Sequence, residues 1–385
     1  MEKLFYLEPE RKSLEAVVTE VRACDPKGLY PTFLDQTIFY PESGGQCGDI
    51  GSLTRLADGL ELKIVDSQKE DEHVCHLVSG KLEKGDKVVL NLDWPHRLFY
   101  MQEHTAQHII SGLLFSQFSI GTLSVHMGQD AIAIETDKAI ISQDIIDGLE
   151  AMAQSVVIEG HEVSMYEESH EEAEAEGLRR TIKVDGPVRL VRIAGVDLIA
   201  CGGVHVGNTR EIQAIEYSGS ESIRGHARLF FKVGQKALEA RKARQKAVMA
   251  LERMLSCSTE ELEAMVLRLI DQASEQKRAY SSLLALYAST LIQGPVTLLD
   301  LTGKPGFDGL GQASKDLDEL CLCAVDGNRW LMVLKGSYES LDYRKALVAS
   351  QAKGGGKKPM YQGFCPDPKA LLEAFSDLIN QCLRS

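Results

Sequence analysis

DWPHRLFYMQEHTAQHIISGLLFS, residues 93–116, is the stretch from which the rest of this chain can be read. Pro95 suits the first turn of a helix, Asp93 can cap it, and the apolar residues then recur often enough for a buried helix. Within it His104 and His108 stand four apart, so both imidazoles face one point. The segment CGGVH at 201–205 repeats that spacing with Cys201 and His205. Two His from one segment, with a Cys and a His from another, make a full set of donors for a tetrahedral Zn2+.

Either pair alone is a weak motif, because His pairs also fall by chance on buried helices. Together, each pair locally rigid and both in one inferred domain, they predict a zinc site with neutral imidazoles and a Cys201 thiolate. Four protein ligands are the pattern of a closed structural site, whereas catalytic zinc keeps a position open. The spacing leaves both uses open.

The bulk numbers narrow the class. With 385 residues the chain has length for two or three domains, each burying its own core. No apolar run approaches the ~18 residues a membrane span needs. The opening residues, MEKLFYLEPERKS, lack an apolar h-region, so no signal peptide is expected. Nine Cys without the paired spacing of a disulfide scaffold point to a reducing cytoplasm. A net charge of −14 argues against a general nucleic-acid binder, though a local basic surface remains compatible with it.

Outward from the helix, residues 13–92 read as short strands. Apolar residues alternate in VVTEVRA, in Leu60, Leu62 and Ile64, and in Val88, Leu90 and Leu92. Turn signals at Asp25-Pro26, Asp58-Gly59 and Lys84-Gly85 fit the hairpins of a small barrel or curled sheet. LDQTIFYPESGGQCGDIG, residues 34–51, does not look like scaffold. Gly44-Gly45 lets a backbone approach something closely, flanked by the hydrogen-bonding Thr37, Ser43 and Gln46.

Beyond the helix, 121–135 reads as a hairpin. Residues 143–159 read as an amphipathic helix with Ile145, Ile146, Leu149, Met152 and Val156 inward. Eight Glu and no Lys or Arg between Glu159 and Glu176 predict a solvated helical or loop face. Strand-like segments lead into and out of CGGVH. From Arg224 to Arg253 nine Lys or Arg face two Glu, a basic stripe on a strongly helical stretch. A second helix begins at Ser258 and Glu261, which have capping-box spacing, giving a helical hairpin or short coiled coil. From Pro295 strand and helix patterns alternate, with an amphipathic stretch at 313–320, helices near 341–351 and 368–383, and a Gly-rich basic loop, KGGGKKPMYQG. Its backbone amides and Lys353, Lys357 and Lys358 can face phosphates.

Other candidate sites are weaker. His73 and Cys75 share one face of a strand and His76 the other, so surface or core polar residues fit better than a second metal. Cys321 and Cys323 sit in an apolar strand and read as core. His96 and His126 are possible supports for the metal helix. No GxSxG elbow, Walker A loop or HEXXH is present, which removes the nucleophile, the phosphate cradle and the metalloprotease base.

The motifs TIFYPESGGQCGDIG, HTAQHI and CGGVHV, in this order, resemble those of the freestanding alanyl-tRNA editing proteins, the AlaX family, similar to the editing half of alanyl-tRNA synthetase. The chain departs at Val204, where the family commonly has Thr, and at Cys47, where a small residue or Pro is often seen. RGHARLFFKVGQKAL, the helical spacer and KGGGKKPMYQG resemble, more loosely, the C-terminal part of the long form.

The resemblance implies an α+β protein. Its expected parts are a β-barrel subdomain at 1–92, a zinc-binding editing domain at 93–233, a helical spacer at 234–292 and a C-terminal α/β tRNA-binding domain at 293–385. It implies hydrolysis of Ser-tRNA(Ala), and of Gly-tRNA(Ala), with one Zn2+ on His104, His108, Cys201 and His205 and no aminoacylation. Thr37 would read the serine hydroxyl. Gln46, Gly44 and Gly45 would position the aminoacyl-adenosine end, and Gln102 would make a further polar contact. Arg224, Lys353, Lys357 and Lys358 would meet tRNA. A homodimer through the spacer or the C-terminal domain is compatible with this. The rival reading is a zinc-stabilised RNA- or protein-binding module without turnover. A zinc peptidase fits less well, because no general-base carboxylate accompanies the ligands.

Overall fold

The structure is a computed structural model that describes residues 2–182 and 186–384. By compactness the chain divides into Met1–Ala247 and Val248–Ser385.

In the first unit, β1 (Glu2–Lys3) and the one-turn α1 (Leu4–Leu7) precede a closed barrel. The barrel is built from β2 (Ser13–Val21), β3 (Tyr30–Leu34), β5 (Gly51–Arg55), β6 (Glu61–Glu70), β7 (His73–Val78) and β8 (Lys87–Leu92), in the order β2-β3-β7-β6-β5-β8. The short β4 (Gln36–Thr37) pairs in parallel with β1. The period-2 patterns put Leu14, Val18, Leu53, Ile64, Val88 and Leu90 inside. Turns at Asp25 and Asp58-Gly59 close hairpins as expected. The one at Lys84-Gly85 does not, because β8 pairs with β5 and β2 rather than with β7.

The predicted helix is α2 (Trp94–Phe118), with Pro95 in its first turn and the Asp93 side chain accepting from the His96 amide. It is buried almost without interruption from Arg97 to Leu114. One side meets α3 (Gln143–Glu159) through Ile146, Leu149 and Val156. Another meets a four-stranded sheet, β14-β15-β10-β9. Its strands are β9 (Thr122–Met127), β10 (Ile132–Thr136), β14 (Ile215–Ile223) and β15 (His226–Val233). The acidic run is not one solvated face. Residues 163–168 form β11 (Val163–Glu168), which pairs with β12 (Val188–Ile193), itself paired with β13 (Asp197–Ala200). Only α4 (His170–Ala175), capped by Ser169 and Glu172, keeps the helical part of the expectation.

The basic helix is α5 (Gly234–Leu255). Its first turns are tied to the first unit: Lys236 reaches Asp130 at 3.3 Å, and Arg244 reaches the buried Glu216 at 2.8 Å. The division by compactness, between Ala247 and Val248, falls inside this helix.

The second unit holds α6 (Leu262–Leu291), entered through a 3-10 turn at Thr259–Glu261 in which Glu261 accepts from the Ser258 amide. A five-stranded sheet follows, β16-β17-β18-β20-β19. Its strands are β16 (Val296–Asp300), β17 (Leu320–Asp326), β18 (Arg329–Lys335), β19 (Lys353–Lys357) and β20 (Met360–Phe364). Helices α7 (Leu310–Ala313), α8 (Arg344–Ala349) and α9 (Pro368–Arg384) complete it. Both faces are covered, so β17 is buried from Leu320 to Val325 and β18 from Trp330 to Leu334. The α/β expectation holds only for the parallel pair β16–β17; the other ladders are antiparallel. The stretch 313–320 is not a helix, which ends at Ala313. KGGGKKPMYQG is not a free loop but the hairpin β19–β20, with a cis Lys358–Pro359 peptide. Among the described residues no helix is long and apolar enough to cross a membrane.

Candidate metal centre

The two ligand pairs converge. His104 and His108 on α2, with Cys201 and His205 on the loop after β13, bring their donor atoms within 4.8 Å of one another. Cys201 Sγ lies 3.4 Å from Nε2 of both His104 and His205. With zinc–ligand bonds of about 2.0–2.3 Å, tetrahedral donors lie roughly 3.3–3.8 Å apart, and this sulfur–nitrogen spacing fits.

Backbone contacts shape the ligand loop. Arg189 and Cys201 exchange two hydrogen bonds, from Cys201 N to Arg189 O at 3.0 Å and from Arg189 Nη1 to Cys201 O at 2.7 Å. The Tyr6 and Tyr40 hydroxyls donate to Gly202 O at 2.9 and 3.2 Å. Gly203 packs flat against the His104 ring, and a Cβ there would stand 2.0 Å from His104 Cε1. Any larger residue would push a ligand out of place.

Each imidazole turns Nδ1 toward the protein and Nε2 toward the shared point. His104 Nδ1 lies 2.8 Å from Gln46 Oε1, which can only accept, so the proton sits on Nδ1. His205 Nδ1 lies 3.1 Å from Thr105 Oγ1, whose own proton goes to Met101 O at 2.8 Å. Thr105, not residue 204, supports this ligand; Val204 contributes its backbone amide to Gln46 Oε1 at 3.4 Å. His108 Nδ1 is 3.5 Å from Asp197 Oδ2, too long for a good hydrogen bond, and Arg179 holds that carboxylate at 2.7 and 3.0 Å. Such outer partners orient metal-binding rings and fix their tautomers.

Burial keeps all three rings neutral, with His108 pushed down to about 3 and His104 and His205 well below the usual range. Burial also pushes the Cys201 thiol up, opposed by the Gly203 amide 3.3 Å from its sulfur. Three neutral imidazoles are ready for a metal, and the thiol would give up its proton to a bound cation.

A cleft of about 290 Å³ opens on this centre. His104, His108 and Cys201 lie in its wall with Tyr40, Ser43, Gly44, Gln107, Arg179 and Arg180. Gly44 and Gly45 take φ of +59° and +87°, and a Cβ on Gly45 would approach Val125 O at 3.3 Å. Close packing explains Gly45, whereas Gly44 has open space around it and is explained by its positive φ alone.

Other sequence-predicted residues go elsewhere. Gln46 is buried behind His104 and acts through that ring. Thr37 does not line the cleft. It is fully buried on β4, which is not a barrel strand, with its hydroxyl bonded to His76 Nε2 on the barrel strand β7 at 2.9 Å and to the Phe39 amide at 3.0 Å. Gln102 points away from the metal and donates to Glu211 O at 2.7 Å, tying α2 to the turn at Thr209–Ile212. Arg224 is at the tip of the β14–β15 hairpin, exposed, with φ +50°. Lys353, Lys357 and Lys358 are exposed in the second unit. His96 bonds Gly48 O at 3.0 Å rather than a metal ligand.

Sequence reading missed Thr105, Asp197, Arg179, Arg180, Tyr6 and Arg189. Only the Arg179-Arg180 pair left a signal, two cations directly after a run without any. The others become visible only once strands far apart in sequence are brought together.

The comparisons follow the same division. The family of class II (A) tRNA synthetases matches residues 13–96, and the threonyl and alanyl tRNA synthetase second additional domain matches 188–228. The alanyl-tRNA editing protein AlaX-M of Methanosarcina mazei is 35% identical over 228 residues, spanning 56% of this chain and 89% of that protein. AlaX-L of Pyrococcus horikoshii is 32% identical over 221 residues, 56% of this chain and 54% of the relative. The mouse alanyl-tRNA editing protein Aarsd1 is 27% identical, but over 86% of this chain and 83% of its own. That match reaches into the second unit. Motif order, the converged His/Cys cluster and a relative matched at 35% identity over 89% of its own length agree, and the chain belongs to the freestanding alanyl-tRNA editing proteins.

Proposed function

We propose that this chain is a trans-editing deacylase that hydrolyses the ester of Ser-tRNA(Ala) and of Gly-tRNA(Ala), with one Zn2+ on His104, His108, Cys201 and His205. The observation that carries the reading is the convergence of these four side chains at the wall of a cleft of about 290 Å³. That volume lies near the lower end for ligand pockets, so it suits the acylated end of a tRNA and little more.

The chemistry has a physical rationale. A synthetase pocket shaped for alanine poorly rejects glycine, one methyl smaller, or serine, one hydroxyl larger. An aminoacyl ester is labile, so orientation within the cleft supplies much of what the reaction needs. When bound, the zinc would supply positive charge beside the ester carbonyl and its attacking water. Gln46 and Thr105 hold the rings of His104 and His205, and the glycine pair admits the substrate's end beside them. Exposed Lys353, Lys357 and Lys358, with Lys242 and Lys246 on α5, would meet tRNA phosphates; removing such contacts flattens the salt dependence of binding. A translation substrate of this kind puts the protein in the cytoplasm.

Purified protein, with bound metal measured, should deacylate Ser-tRNA(Ala) and Gly-tRNA(Ala) faster than Ala-tRNA(Ala) and lose that activity on chelation. Equal rates on all three would overturn the reading and favour a zinc-stabilised binding module.

A further inference from the structure

We propose that Arg180 binds the phosphodiester on the 5′ side of the terminal, acylated nucleotide; the choice of ligand rests on the ester-hydrolase reading above. Two adjacent arginines stand in the cleft with the metal ligands, and they are in different states. Arg179 is committed. Its side chain is 8% exposed and holds Asp197 through Nε and Nη2. Among the described residues no carboxylate is bound to Arg180, and its one protein hydrogen bond runs from Nη2 to the Thr122 carbonyl.

A guanidinium offers five N–H groups, so the bond to Thr122 anchors Arg180 and leaves most of its donors unused. Arg180 is exposed, and its charge is disfavoured by some desolvation and by the adjacent Arg179, with Asp197 acting the other way. An anion entering the cleft would relieve both penalties and fill the open donors.

The substrate's own chemistry selects that anion. In an aminoacyl-adenosine end the ester and the base are neutral and the amino group is cationic or neutral, so none of them calls for an arginine. The anion attached to the terminal nucleoside is its 5′ phosphate, whose oxygens match a guanidinium fork. The other nearby cation, Arg189, is already occupied. It donates to Cys201 O and stacks on Tyr6 at 4.6 Å, holding the ligand loop.

Two measurements test this. Adenosine 5′-monophosphate should bind the metal-loaded protein about tenfold more tightly than adenosine, the scale of one charge-assisted contact. That gap should close in Arg180→Ala and partly return in Arg180→Lys. On esters, Arg180→Ala should raise KM for a seryl trinucleotide toward that for seryl-adenosine, with kcat unchanged on both. Equal binding of the two nucleosides by the wild type would overturn the assignment. A fall in kcat on seryl-adenosine would do so too, because Arg180 would then act on the reacting ester or on the fold. If neither ester is hydrolysed but the binding gap appears and depends on Arg180, the editing reading fails and the phosphate site stands.

Discussion

The Thr37 hydroxyl stands between two buried groups, accepting from the Phe39 amide and meeting His76 Nε2. His76 Nδ1 lies 3.2 Å from the Thr32 carbonyl, which can only accept, so the ring's proton is on Nδ1 and Thr37 donates to Nε2. Both of the hydroxyl's roles are therefore filled by buried protein groups. Thr37→Val would leave a ring nitrogen and a backbone amide buried without partners, at about 1–3 kcal/mol each. Denaturant melts should show that loss, with the Ser-over-Ala preference in deacylation unchanged. A variant as stable as the wild type that loses the preference would restore Thr37 as the serine reader implied by the resemblance. The motif's spacing names a Thr; only its neighbours say what the hydroxyl is doing.

At the scale of elements, α2 and the 38–51 loop must keep register, because one carries His104 and the other carries Gln46. A buried ion pair joins them. Arg97, fully buried, donates to Asp49 and to the carbonyls of Pro9 and Ile38, while Asp49 also accepts from the Tyr40 amide at 2.5 Å. The Asp of the QCGDIG segment thus serves the architecture of the cleft. Removing one partner of such a pair leaves an uncompensated buried charge, worth roughly 3–5 kcal/mol. Arg97→Met should lower the denaturation midpoint accordingly, and adding Asp49→Asn should recover part of it. An Arg97→Met protein of unchanged stability would show that α2 is seated by its apolar contacts alone.

For the whole molecule, buried titratable groups set a pH optimum. His76 is held down to about 4 by burial, and His104, His108 and His205 are lowered with it. The unfolded chain takes up those protons near pH 6.5 while the folded chain refuses them, so stability is lost as pH falls from 6.5 toward 4. His76 alone accounts for up to about 3 kcal/mol at ~1.4 kcal/mol per unit. Glu103 works in the opposite sense. Burial raises it to about 8, and no hydrogen bond meets its carboxyl oxygens among the described residues. Its contribution is complete below the unfolded value of 4.5 and is lost as pH rises through 8. Four imidazoles outweigh one carboxyl on the acid side. Metal-free protein should therefore melt highest near pH 6.5, and Glu103→Gln should flatten the alkaline limb. A Tm constant between pH 4 and 6.5 would reject the buried neutral imidazoles.

The sequence by itself determined the candidate ligand set, because i,i+4 spacing on a helix and the short CGGVH loop fix donor direction locally. It also determined the barrel strands and α2 with its Asp93 cap, since periodicity and capping act within a few residues. What it left open depends on groups far apart in the chain. The acidic run became the strand β11 because β12 offered a ladder for its backbone. The Gly-rich basic segment became a hairpin because β18 presented an edge. Arg244 on α5 found its carboxylate in Glu216, which is buried in another element. The hydrogen-bond partners of Thr37, Gln46 and Gln102 likewise come from distant segments. A buried polar group takes whichever partner the tertiary fold places within hydrogen-bond reach, and local sequence does not encode that partner.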